Sequence, residues 1–488
     1  MPLAPHIAKA VSLVQGGRGS WLAGGALVAL LAGLTLKEAG SAQAAPAQPL
    51  PSDSQAVAGA PTNPSPKVPA TTATETLASP APAGMAPTPT AGMTDINSWV
   101  ARNLQGTWFH DLQLGLLAEA GDMFNSGPSH AGARNHNGQN FGQLLSPYAN
   151  EPMLNQLVLN LSKPVDDVGG GYGLGFTIQA LYGSDARIYQ IAGIDDRIMN
   201  TQNAFALTQA HLDVHMPWLS KEGLDGQMGI LMAPMGVEVL DPTQRAFYTL
   251  ANTSEFSVPF EHVGLYFQQH INSHYQIMYG LDAGNQVSFG RGNNNGRPDG
   301  YFGFSGTPSD TVTFTGLFRV GPEDAWRALG RHQAHDAQRY WYDLNASWKA
   351  NSQWTFTGEL NHVYDEGLHD NSWSAVAWAA YHFTPTVTFN ARGEVYRDQN
   401  GALVAQYPGN TSYMRAILGL PNNSYGNGAT TYGDLSFNMV WRPTVPHVAI
   451  LQLRPEIRFD RALNNTRPFA DFTHRDRILV GGDVTVGF

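Results

Sequence analysis

The stretch LQLRPEIRFD (Leu451–Asp460) separates its residues by parity. Leu451, Leu453, Pro455, Ile457 and Phe459 fall on one parity; Gln452, Arg454, Glu456, Arg458 and Asp460 fall on the other. Successive side chains of a strand point to opposite faces, so a strand here has one wholly apolar face and one dense in charge. A soluble sandwich has no use for opposite charges stacked so closely on one face. A membrane barrel does, because its apolar face meets lipid and its polar face lines a wet lumen.

The same texture recurs along the chain. VTFNARGEV (Val387–Val395) sets Thr388, Asn390, Arg392 and Glu394 against an uncharged parity, and DLSFNMVWR (Asp434–Arg442) sets Asp434, Ser436, Asn438 and Arg442 against Leu435, Phe437, Met439 and Trp441. RYWYDLNASW and TVTFTGLFR repeat the pattern. About 16 such segments lie between Leu112 and Phe488, with connections that alternate between tight turns (Asn272–Ser273, Ala350–Ser352, Thr384–Thr386) and long polar loops. An even strand number leaves both ends of the barrel chain on the periplasmic side. The expected fold is therefore all-β: a transmembrane antiparallel β-barrel over residues 111–488, in the outer membrane of a Gram-negative bacterium.

What precedes the barrel fits that compartment. Lys9 and Arg18 form a positive region ahead of the apolar run Trp21–Leu36, and Ala42-Gln43-Ala44 matches a small-x-small cleavage site, so 1–44 is expected to be a signal peptide. The run is too short for a spanning helix. Residues 45–93 are a Pro/Ala/Thr-rich tract, expected to be a disordered spacer that reaches toward the cell wall. Residues 94–110 are a short periplasmic segment with one helix near Thr94–Gln105. The absence of cysteine excludes disulfides and thiolate metal sites, and the net charge of −11 argues against a nucleic-acid partner.

The terminal stretch GGDVTVGF ends on an aromatic residue in mid-strand. Val484, Val486 and Phe488 share the lipid-facing parity, and an edge strand in lipid must find a partner, so the last strand is expected to pair with the first. Trp348, Trp354 and Trp441 stand at strand ends, where an aromatic girdle belongs. A last strand of this kind resembles the assembly signal of Gram-negative outer-membrane proteins, read by the barrel assembly machinery. The order of NQLVLNLSKPVDDVGGGYGLGFTIQALYG (Asn155–Gly183), GILMAPMGVEVLDPTQRAFYTLANTSEFSVPFEHVGLYFQQHIN (Gly229–Asn272) and GLFRVGPEDA (Gly316–Ala325) resembles the OmpL-like β-barrel porin family. The resemblance implies a channel-forming protein in outer-membrane lipid, without fixing its solute. Barrels of this kind often form homotrimers, though no residue here specifies one.

The expected pore lining is Arg319, Arg339, Asp343, Glu359, Arg392, Glu394, Asp434, Arg454, Glu456, Arg458 and Asp483. Opposite charges facing each other across a bore orient polar solutes. The third outer loop, Met235–Phe260, carries Glu238, Asp241 and Glu255 and is a candidate constriction that faces Arg392 and Arg454. A passive diffusion channel follows, with a closed structural or adhesive surface barrel as the alternative. No cofactor is implied. HLDVH spaces His211, Asp213 and His215 along one strand face, but polar lining is the simpler account. GGGYGLG (Gly169–Gly175) leads into a strand, where a phosphate loop leads into a helix. A hydrolase needs Ser and His together; in LHDNSW, His369 and Ser372 are three apart and a strand sends them to opposite faces. No G-x-S-x-G is present.

Overall fold

A computed structural model describes residues 94–488, apart from 134–135, 167–170 and 199–201. The signal peptide and spacer expected over 1–93 lie outside the described residues. A helix, α1 (Thr94–Asn103), precedes the first strand. Both the carbonyl and the amide of Asn97 bond the backbone of Leu114, at 2.8 and 3.0 Å, which ties α1 to the start of the barrel.

Sixteen strands follow: β1 (Gln113–Asn125), β2 (Met153–Lys163), β3 (Gly173–Gly183), β4 (Ala204–Met216), β5 (Leu224–Met232), β6 (Glu261–Asn272), β7 (Tyr275–Asn285), β8 (Asp299–Ser309), β9 (Val312–Gly321), β10 (Arg339–Lys349), β11 (Trp354–Asp365), β12 (Asp370–Thr384), β13 (Val387–Asp398), β14 (Thr430–Trp441), β15 (Ile450–Ala462) and β16 (Asp476–Gly487). Each pairs antiparallel with its neighbours in chain order, and β16 closes on β1 from Leu117↔Gly487 to Asn125↔Leu479. Phe488 continues the seam, exchanging backbone bonds with Leu116. Every strand edge is thereby paired, as a barrel in hydrocarbon requires.

Burial follows parity. On β15, Ile457 and Phe459 are exposed, whereas Gln452, Arg454 and Arg458 are completely enclosed. The apolar parity of β10 to β13 is aliphatic or small at mid-strand (Leu344, Leu360, Ala375, Ala377, Ala391) and aromatic toward the ends. Trp348, Trp354, Phe383, Phe389, Trp441 and Phe488 ring the end with the short turns, and Tyr342, Tyr364, Trp373 and Phe459 ring the other. The ladder between β14 and β15 skips Pro455, which has no N–H to give.

Two glycines make the seam possible. A Cβ on Gly481 would strike the carbonyl of Asp122 on β1, and one on Gly482, at φ 144°, would strike the carbonyl of Arg454 on β15. The closing strand thus approaches both neighbours more closely than a side chain allows.

The long connections, including 126–152, 184–203, 233–260, 322–338 and 399–429, emerge at the end opposite the chain termini. A two-stranded ribbon, Ala405–Gln406 with Tyr425–Gly426, lies in the last of these. Gln406 accepts a bond from the Gly142 amide at 3.0 Å, so the first and seventh outer loops are tied together over the mouth.

Candidate pore constriction

The third outer loop (233–260) is threaded through the lumen along the wall formed by β13 to β16 and β1. A loop buried away from water must find partners for its backbone groups, and the charged lumen parity supplies them. Arg454 donates to the carbonyls of Pro242 and Arg245, both at 2.9 Å, and of Phe247 at 3.3 Å, while pairing with Asp483 at 2.7 and 2.9 Å and with Glu119 at 2.9 Å. Glu119 in turn accepts two bonds from Arg245 of the loop, at 2.8 and 3.1 Å. Arg392 bonds Glu238 and Asp434, both at 2.8 Å, and the Thr249 carbonyl at 2.7 Å, with its guanidinium over the Phe247 ring. Arg458 holds the Leu250 carbonyl at 2.5 Å.

The carboxylates take the loop's donors. Glu456 accepts the Tyr248 amide at 2.7 Å and the Thr249 hydroxyl. Glu394 accepts both the amide and the side chain of Thr253 and of Asn252, at 2.6 to 2.8 Å, which pins the N-terminus of the short helix α2 (Asn252–Phe256) to β13. Glu238 accepts the Ala251 amide at 2.7 Å and the Ser254 hydroxyl at 2.9 Å. Burial alone would push the Glu238 carboxyl up; Arg392 and these bonds hold it below the usual carboxylate range.

The structure divides the three acidic loop residues. Glu238 meets Arg392. Asp241 turns back on its own loop, accepting from the Thr243 amide and hydroxyl, both at 2.8 Å, and from the Gln244 side chain; no contact joins it to Arg392 or Arg454. An aspartate two residues before an exposed amide closes a local turn more readily than it reaches a wall. Glu255 accepts the Leu144 amide of the first outer loop at 3.0 Å, and burial pushes its carboxyl up to about 8 against the opposing pull of Arg458.

All eleven residues expected to line the pore lie on the lumen parity, yet loops or neighbouring lumen side chains cover nearly all of them. Arg319 is held by Asp282 at 2.6 and 3.0 Å, Asp299 at 3.1 Å and Glu323 at 3.2 Å; Arg339 by Asp365 and, at 3.4 Å, Asp324. The lumen of β5 to β11 also carries a packed apolar group that alternation did not reveal: Leu231, Tyr266, Met278, Tyr301, Leu317, Trp341 and Val363, joined by Met235 of the loop. Toward the periplasmic end the lumen parity changes to partly exposed hydroxyls, amides and imidazole: Thr313, Asn345, Ser347, Thr355, Thr357, His382 and Thr388.

The HLDVH row does not act as one group. His211 lies 3.0 Å from Asp213, whereas His215 bonds Asp225 at 2.6 Å, and Asp225 also meets His270 at 2.7 Å. Among the described residues, no set of three or more His, Asp or Glu side chains is arranged to hold a metal ion. His369 stands in a turn at φ 54°, while Ser372 is buried on the lumen side beside Asp370, so they do not meet. Glycines 169–170 of GGGYGLG lie outside the described residues, and Gly173 opens β3.

A closed antiparallel barrel with an apolar exterior, a polar bore and a long loop folded into that bore is a porin of the Gram-negative outer membrane. The chain belongs to the family described as "Putative beta-barrel porin-2, OmpL-like", whose model matches residues 124–488. It is an outer-membrane diffusion channel. Among solved structures it is similar to the anion-selective porin from Comamonas acidovorans (10% identity, 77% of this chain and 99% of that chain, TM-score 0.47). It is likewise similar to OprB of Pseudomonas putida (12% identity, 78% and 94% covered, TM-score 0.47) and to the outer membrane channel DcaP of Acinetobacter baumannii (11% identity, 78% and 97% covered, TM-score 0.47). No curated protein matches the chain.

Proposed function

We propose that the channel passes small hydrophilic solutes and ions through a bore whose cross-section is set by the loop 233–260. The observation that carries this reading is the double row of bonds by which Arg392, Arg454, Arg458, Glu394 and Glu456 grip that loop along its length. In this reading the lumen charges fix the obstruction and do not form two bare rows facing each other across water. Solutes travel along the hydroxyl- and amide-lined periplasmic half of β9 to β13 and past the loop on the side away from the arginines. Transport is passive, and no catalytic step is assigned to the barrel. Val484 and Phe488, exposed on the outer face, support recognition of the last strand by the barrel assembly machinery. Association as a trimer and contact of the spacer with the cell wall belong to the same reading.

Liposome swelling with sugars of graded size tests the channel. Entry of small sugars with a sharp size limit is the expected result, and a barrel that admits none is a closed surface protein. Planar-bilayer recording of Glu238→Gln against Asp241→Asn then tests the loop: the first variant alters conductance and the second, whose carboxylate serves only its own turn, does not.

A further inference from the structure

On the wall that adjoins the arginine rows, the lumen face of three adjacent strands carries Asp343 on β10, Glu359 and Asn361 on β11 and Ser374 on β12. Asp343 lies opposite Asn361, and Asn361 opposite Ser374, in the strand registers. All four side chains are at least nine-tenths buried. The two carboxyl groups lie side by side, and neither has a cationic side chain as a neighbour. Asp343 accepts from the amides of Asn345 at 2.9 Å and Asn361 at 3.2 Å and from the backbone of Gly236, and lies within hydrogen-bonding reach of the Glu359 carboxyl; Glu359 accepts the Val237 amide of the third outer loop at 3.3 Å. The nearest acidic group, Glu238, is already matched by Arg392.

Three further oxygens at this place have no hydrogen-bond partner: Oε1 of Glu359, Oδ1 of Asn361 and Oγ of Ser374. Buried polar atoms are normally satisfied, and buried charges are paired or bound to a cation. A proton shared by Asp343 and Glu359 would relieve their repulsion but leave Asn361 and Ser374 unserved. A hard cation serves all four, because carboxylate, amide carbonyl and hydroxyl oxygens are its ordinary ligands. Two carboxylates and two neutral oxygens match the charge of a divalent ion.

We propose that Asp343, Glu359, Asn361 and Ser374 form a calcium site in the wall of the bore. The bound ion fastens the beginning of the third outer loop, at Val237, to β10 and β11, just as the arginines fasten its middle to β13 and β15. The loop is then held along one continuous arc of the wall, by a bound ion at β10 to β12 and by the protein's own charges from β13 onward.

The test uses the full chain refolded from denaturant into detergent, so that no lipopolysaccharide contributes calcium sites. Equilibrium dialysis against Ca²⁺ alone is expected to give one tightly held ion per chain. Glu359→Gln is expected to weaken it by about tenfold or more, and Asn361→Asp, which adds a charge to the same ligand set, to tighten it. Heat-modifiable migration on gels verifies that each variant is folded. Absence of bound Ca²⁺, or equal binding by the parent chain and folded Glu359→Gln, overturns the assignment. Should Glu359→Gln not fold, Asn361→Asp decides: tighter binding supports the site, and unchanged or weaker binding overturns it.

Discussion

Replacing Arg454 by Met removes the best-connected side chain of the latch without emptying its space. Arg454 has no exposed surface and holds two carboxylates and three loop carbonyls. Removing one partner of a buried ion pair costs about 3–5 kcal/mol. The carboxylates lie on β1 and β16, but Glu119 keeps Arg245, so the cost falls on Asp483 and on the segment 242–247, whose carbonyls lose their donor. Since about 1.4 kcal/mol is tenfold in population, the displaced loop segment should rise by roughly a hundredfold to a few thousandfold relative to the parent. Single-channel recording in planar bilayers should then show larger and noisier conductance, and trypsin should cut after Arg245, which is enclosed in the parent. Heat-modifiable gel migration should persist, because the backbone ladder is untouched. Arg461→Met is the control: its pair with Asp476 is about half exposed on both sides and is worth about 1 kcal/mol at most. A folded Arg454→Met barrel with parental conductance, parental noise and no cleavage at Arg245 would refute the latch.

Three further outcomes follow from the same structure. The Glu255 carboxyl, pushed up to about 8 by burial, is held neutral in the folded loop; its contribution is full below the ordinary carboxylate range and is lost as pH rises through about 8. Channel noise should therefore grow between about pH 5 and 8 in the parent and stay flat in Glu255→Gln. Ile457→Arg, on the exposed face near the middle of β15, should lower stability in lipid vesicles by about 2–4 kcal/mol in a denaturant titration, whereas Ile457→Leu should not. Deleting Phe488 removes the backbone bonds to Leu116 at the seam, and the folded fraction recovered from the outer membrane should fall, with undiminished recovery counting against the seam's role.

Much of this architecture could be read from alternation alone. The parity of LQLRPEIRFD matches the burial of β15 at each position, and the tight turns expected at Asn272–Ser273 and Ala350–Ser352 fall between β6 and β7 and between β10 and β11. The reason is physical: lipid outside and a polar bore inside write opposite demands onto adjacent residues. The purpose of the bore charges was less legible. A row such as Arg454–Glu456–Arg458 looks the same in sequence whether it faces open water or the backbone of a loop, since carbonyls and amides leave no mark in residue types. Asp241 went unread for a related reason, because its partners are two and three residues away. The apolar lumen group around Tyr301 and Trp341 breaks the polar-inside rule, as it packs against a loop that alternation does not describe. Asn361 and Ser374 had no sequence signal, being ordinary polar lining until their unserved oxygens are seen beside Asp343 and Glu359.

The glycine pair at 481–482 limits how this barrel can change size. Adding a hairpin is one way for such a wall to acquire a wider opening, and a strand boundary admits a newcomer where its side chains can adjust. Between β15, β16 and β1 the neighbouring carbonyls occupy the volume a Cβ needs, on one flank at residue 481 and on the other at 482. Growth is therefore disfavoured at this clasp, as it is wherever a strand glycine meets a neighbouring carbonyl, at Gly183, Gly229 and Gly264 among others, and is left to boundaries without such a contact.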